Sequence, residues 1–234
     1  MFNEKSITVI KSLIPVSNQF IFKTPRTNFV DEYKQIVGSL NTEILGENFP
    51  EEGIAIYDTS TFINTLQLID DPEREITYDD EHHIINISND EAEVKYLTSD
   101  PSIIEDVDYK IIESTKKVKS VLKFTLNKDI FNKLSKASNV FKELDTIVIS
   151  KNGEVIISLD TNESFNKINN KYQLKISDYE DDGFTGKQIK IPKESFLRVP
   201  KMDYTLEVKY NEERDAYRLI LSNKILELVI SVIQ

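Results

Sequence analysis

GIAIYDTSTFINTLQLIDDPEREITYDD, residues 53–80, decides how the chain is read. It opens on a short apolar run bounded by Gly53 and Asp58, the pattern of a buried strand. Asp58 or Thr59 then offers a capping oxygen to a helix over 59–70. That helix stops at Asp71-Pro72, because the residue before a proline is pushed out of the helical region. REITYD (74–79) alternates as a half-buried strand does, and HHIINIS (82–88) and AEVKYL (92–97) follow after short turns. The block reads as strand, short helix, three strands.

Outward from this block the same order recurs. KQIKI (187–191) leads into a very short helix, PKESFLRV (192–199), and then into DYTLEVKY (203–210), AYRLILS (216–222) and ILELVISVI (225–233). A longer helix stands ahead of each block. NEKSITVIKSLI (3–14) puts Ile7, Ile10, Leu13 and Ile14 on one face. In NKDIFNKLSKASNVF (127–141), Ile130, Phe131, Leu134, Ala137 and Phe141 share one side, and Lys128, Asn132, Lys133, Lys136 and Asn139 share the other. KSVLKFTLN (119–127), DTIVISKNGEVIISLD (145–160), with its hairpin at Lys151-Asn152-Gly153-Glu154, and YQLKISD (172–178) fill the second half. The halves share element order rather than residue identity. The expected class is α+β, mainly antiparallel β. Two similar domains, 1–106 and 119–234, are expected on either side of a linker at 107–118, where proline, acids and then lysines break the strand pattern.

Composition narrows the function. The chain has 234 residues, a formal charge of −11 and no cysteine, which excludes disulfides, thiolate metal sites and a thiol nucleophile. No run approaches the roughly 18 apolar residues of a membrane span, and MFNEKSITVI lacks the features of a signal peptide, so a cytoplasmic protein is expected. Uniform acidity repels phosphate, which makes the strip at 127–141 unusual: three lysines stand there against one aspartate. Acids and bases sorted onto different surfaces would reconcile the two. For each lysine taken alone, a plainly solvated helix face is the competing reading.

The remaining constellations carry no chemistry. Asp70, Asp71, Glu73, Glu75, Asp79, Asp80, Glu81, His82 and His83 are metal-ligand types, but nothing holds them on one face, and solvated turns explain them. The adjacent His82 and His83, read as strand residues, would point to opposite faces. Gly183-Phe-Thr-Gly186-Lys187 lacks the spacing and the following helix of a phosphate loop. The sequons at 86–88 and 162–164 have meaning only in a secreted protein. No catalytic residue, cofactor or metal is expected, and an enzyme is the least supported class.

Four segments, GIAIYDTSTFINTLQLIDDPEREITYDD, VKYLTSDPSII, DTIVISKNGEVIIS and YQLKISDYEDDGFTGKQIKI, together resemble the sliding clamp of T-even-type bacteriophages, the processivity subunit of their replicative polymerase. The likeness is collinear over nearly the whole chain. It implies a homotrimeric ring with sheets outside and helices lining a hole around duplex DNA. It further implies loading by an ATP-dependent clamp loader, a polymerase partner, a role with late-transcription factors, and residence in the cytoplasm of the infected host. On this resemblance Lys5, Lys11, Lys128, Lys133 and Lys136 face DNA, joined by Lys193 and Arg198. The helix at 59–70, whose polar face is Thr, Ser, Asn and Gln, stays off that list. The resemblance also implies an apolar partner pocket beside the interdomain connection, with Ile103, Ile104, Tyr109 and Ile111 as candidates; packing of the linker is the alternative for these. Two other classes stay open: a tail- or baseplate-type structural protein of duplicated β domains, and a single-stranded DNA-binding protein.

Overall fold

The computed structural model describes residues 1–161, 170–184 and 187–233. The sequon at 162–164 and residues 185–186 of the glycine-bearing loop lie outside the described residues. The chain divides into two compact units, Met1–Glu32 with Ser39–Asp108 and Tyr33–Gly38 with Tyr109–Gln234.

The first unit holds α1 (Glu4–Leu13), β1 (Phe20–Phe22), β2 (Arg26–Val30), the end of β3 (Ile36–Asn41), β4 (Ile54–Ile56), α2 (Thr59–Leu66), β5 (Glu75–Asp79), β6 (Ile84–Ser88) and β7 (Glu93–Leu97). β1 pairs antiparallel with β4, and β5, β6 and β7 form an antiparallel meander. Phenylalanine dominates the core. Phe2 meets Phe22, Phe49 and Phe62 at 5.2, 4.9 and 4.9 Å between ring centres, and Tyr96 of β7 closes on Phe62 at 5.0 Å. Such edge and tilted contacts add to the burial of large apolar area and tie β7 and the residues leading into α1 to α2.

The second unit holds α3 (Lys110–Lys117), β8 (Ser120–Leu126), α4 (Lys128–Val140), β9 (Thr146–Asn152), β10 (Glu154–Asp160), β11 (Tyr172–Ile176), β12 (Tyr179–Asp181), β13 (Ile189–Pro192), α5 (Lys193–Arg198), β14 (Tyr204–Asn211), β15 (Ala216–Ser222) and β16 (Leu226–Ser231). One sheet runs β11-β10-β9-β13; another runs β12-β8-β14-β15-β16, with β3 beside β16. The β9–β10 hairpin turns at Gly153, whose φ of 75° lies where glycine is strain-free. Phe131 of α4 stacks on Phe196 of α5 at 5.4 Å and meets Tyr204 of β14 edge-on at 6.1 Å. The order of α2 and its meander in the first unit thus returns as α5 and β14–β16 in the second.

Four features differ from the sequence reading. The stretch 107–118, expected as linker, folds from Lys110 as α3. Glu113 in its first turn and Lys116 and Lys117 in its last suit the helix dipole, and Ile112 is buried against Ile220 and Val229. The helix of the opening block ends at Leu66, not near residue 70. Its last turn tightens, with the Gln67 and Leu68 N–H groups donating to the carbonyls of Asn64 and Thr65. Strands β1, β2, β3 and β12 were not read from the sequence: β1 is three residues, buried throughout, β12 is three residues, and β3 is interrupted by Gly38 and Ser39, so none of these three alternates. His82 and His83 sit in the β5–β6 turn rather than on a strand, because the Asp79 carboxylate accepts from the His82 N–H at 3.1 Å and folds the chain back.

Candidate nucleic-acid interface

Two helix pairs, α1 with α2 and α4 with α5, carry the basic candidates. Each long helix is started by an asparagine. Asn3 Oδ1 accepts from the Lys5 and Ser6 N–H groups, both at 3.0 Å, and Asn127 Oδ1 accepts from the Ile130 N–H at 3.0 Å. Each is also met by a carboxylate from elsewhere in its own unit. Buried Glu47 accepts from the Phe2 and Asn3 N–H groups at 2.7 Å and from the Ser6 hydroxyl; exposed Asp203 accepts from the Lys128 N–H at 2.8 Å. α2 is capped by Asp58, which accepts from the Thr61 N–H and hydroxyl and from the Asn18 amide. These bonds, the Thr61 hydroxyl first, hold the Asp58 carboxyl below its ordinary range.

With one face of each long helix fixed inward, the other is fixed outward. In α1, Ile7, Val9, Ile10 and Leu13 are buried while Lys5 and Lys11 are exposed. In α4, Phe131, Leu134 and Ala137 are buried while Lys128, Lys133 and Lys136 are exposed. None of these five ammonium groups has an acidic partner among the described residues. Several lysines elsewhere do: Lys23 pairs with Asp106 at 2.9 Å, Lys123 of β8 with Glu180 at 3.0 Å, Lys171 with Asp160 at 2.9 Å and Lys175 of β11 with Glu154 at 2.7 Å. Exposed pairs add little stability, but they cancel each other's field at a distance. The uncancelled positive charge of these lysines therefore lies on α1 and α4. α2 contributes hydroxyls and amides only, as its sequence shows.

The two candidates of α5 are engaged differently. Lys193 is half-buried and donates to the Lys142 carbonyl at 3.3 Å, and Arg198 lies over the Tyr33 ring at 5.3 Å, a cation–π contact within the second unit.

No protein-family model matches the sequence, and no curated protein sequence matches it. Solved structures do. A chain of the PCNA2–PCNA3 complex from Sulfolobus tokodaii superposes with a TM-score of 0.65 at 12% identity, over 97% of this chain and 94% of that one. Proliferating cellular nuclear antigen from Entamoeba histolytica superposes with a TM-score of 0.68 at 14% identity, over 98% and 95%. The chain has the PCNA-like clamp fold. At such identity the likeness is one of backbone, two similar units included, and side-chain roles are carried by this chain's own geometry.

Against that clamp fold the four apolar candidates separate. Ile103, 55% exposed, and Ile104, 7% exposed and packed with Ile21 and Ala55, belong to the first unit. Tyr109 and Ile111 belong to the second, where Ile111 is exposed and Tyr109 is half-buried, its hydroxyl donating to Glu227 at 2.7 Å. Ile104 and Tyr109 thus serve the cores of their own units, leaving Ile103 and Ile111 as exposed apolar groups. Among the described residues no group of three or more acids and histidines is gathered as a metal site would require, and no helix is long and apolar enough to cross a membrane. Two contributors escaped the sequence reading: Glu47, which carried no local signal, and α3, whose early acid and late lysines were legible.

Proposed function

We propose that the protein is a sliding clamp that encircles duplex DNA and tethers a replicative DNA polymerase, and that it acts as a scaffold without catalysis. The observation that carries this reading is an unpaired basic face on both long helices of a clamp fold: the exposed lysines of α1 and α4 have no acidic partner among the described residues, in a chain of charge −11. Mobile lysine point charges hold a polyanion without locking onto one phosphate, as sliding requires, and an acidic exterior discourages binding elsewhere.

Ring assembly has its own support. Among the described residues β7 is an edge strand with α2 packed behind it, and Leu68 and Leu97 are 71% and 70% exposed; β11 is likewise an edge strand with α4 packed behind it, and Val140 is 71% exposed. One edge from each unit, each with exposed aliphatic side chains, suits a head-to-tail contact that closes into a homotrimer. The resemblance of the sequence to T-even-type phage clamps supports a phage replisome in the cytoplasm of an infected bacterium. The partners on that reading are an ATP-dependent loader and late-transcription factors, with Ile103 and Ile111 as docking points.

Negative-stain imaging of the purified protein after mild crosslinking tests the proposal. Closed three-fold rings with a central hole are expected. Compact monomers or open filaments at concentrations that favour assembly would overturn it, and filaments would favour a structural protein.

A further inference from the structure

Beside the C-terminal half of α3 lies a cavity of about 190 Å³, lined by Ser114 and Thr115 and by Lys209, Asn211, Arg214 and Arg218 of the β14–β15 hairpin. All of it belongs to the second unit, and none of it to the helices that carry the DNA-facing candidates. Three cations and no acid line it, in a chain that is acidic overall.

Lys209 is only 6% exposed, a costly place for a charge. Its ammonium lies 2.7 Å from Glu207, which stands outside the lining, and donates to the Lys116 carbonyl at 3.4 Å. An ammonium has three hydrogens, so one stays uncommitted. Arg218 donates to the Thr115 hydroxyl at 3.2 Å, and the Arg214 guanidinium has no partner among the described residues. The Ser114 and Thr115 hydroxyls both donate to the Ile111 carbonyl, so donors for a ligand come chiefly from the cations and the Asn211 amide. Glu207 offsets one charge and leaves two.

We propose that this cavity binds a small oxyanion, a phosphate or a carboxylate group. Guanidinium forks match both shapes, and charge-assisted bonds to oxyanions are the strong class of hydrogen bond. The volume falls below the roughly 300–1,000 Å³ of pockets for larger organic ligands, which selects an inorganic ion or the head of a side chain.

The test uses the full chain in phosphate-free buffer, with ionic strength held constant by chloride. Inorganic phosphate is titrated while the arginine Nε–H resonances are followed by NMR. Saturable shifts at Arg214 and Arg218 are expected. Arg214→Ala and Arg218→Ala should each weaken binding about tenfold, and Lys224→Ala, on a different hairpin, should leave it unchanged. Acetate titrated in the same way separates the sources. Saturation by acetate as well assigns the site to acidic side chains, and saturation by phosphate alone assigns it to a phosphate group. Lys209 is left intact because its buried pair serves the fold. A linear response to both anions, or equal loss in Lys224→Ala, would reduce the effect to charge screening and overturn the site.

Discussion

The two units solve one problem in two ways. Each must start a long amphipathic helix, dock a short one against it and leave a polar face outward. In the first unit α1 begins against a buried carboxylate, Glu47, and α2 locks in through Phe62 against Phe2. In the second, α4 begins against an exposed carboxylate, Asp203, and α5 locks in through Phe196 against Phe131. The aromatic lock is shared, and the burial of the anion is not. The lesson is that two copies of one architecture can share the mechanical contact while differing in the electrostatics that start each helix.

The largest expected effect tests the shared part. Phe62→Ala and Phe131→Ala, both at fully buried positions, should each cost roughly 3–5 kcal/mol by urea denaturation, since each opens a cavity under a helix pair. A small loss in only one would break the equivalence. Next comes the buried anion: Glu47→Gln should cost about 2–3 kcal/mol, because it removes the charge that three donors were placed to meet.

Asp58→Ala should cost about 1 kcal/mol as a lost cap, and its counterpart helix has no side-chain cap at Pro192 to lose. The sign of its pH dependence follows from the depressed Asp58 carboxyl. The contribution is complete above the unfolded value of about 4 and disappears as pH falls through the folded value. Stability curves of wild type and Asp58→Ala should therefore converge in acid; parallel curves down to low pH would show that the cap is not acting as an anion.

Asp203→Asn should cost no more than about 0.3–1 kcal/mol, the range for an exposed charge at a helix N-terminus. A loss as large as that of Glu47→Gln would mean that burial is not the deciding difference. The smallest effect belongs to the polar face. Replacing Lys128, Lys133 and Lys136 together by Gln should change stability by less than about 0.5 kcal/mol, while shortening residence on closed circular DNA in proportion to the charges removed. Unchanged residence would remove these lysines from the DNA surface.

Much of this was legible in the sequence because it is written within a turn or two of chain. The periodicity of α1 and α4, the Asp58 cap, the Gly153 hairpin and the repeated order of short helix and meander all depend on neighbours. Local patterns also placed Lys5, Lys11, Lys128, Lys133 and Lys136 outward. What the tertiary structure alone decided is which charges cancel and which stand alone. Lys123 meets Glu180 across 57 positions, Lys116 meets Glu227 across 111, and Glu47 reaches back 44 to Asn3. No local pattern encodes such meetings, because side chains that far apart are brought together only when strands pair and sheets close. The same holds for β1 and β3, whose few residues are buried without alternation. The charge strip was a property of the sequence; that its lysines lack acidic partners is a property of the fold.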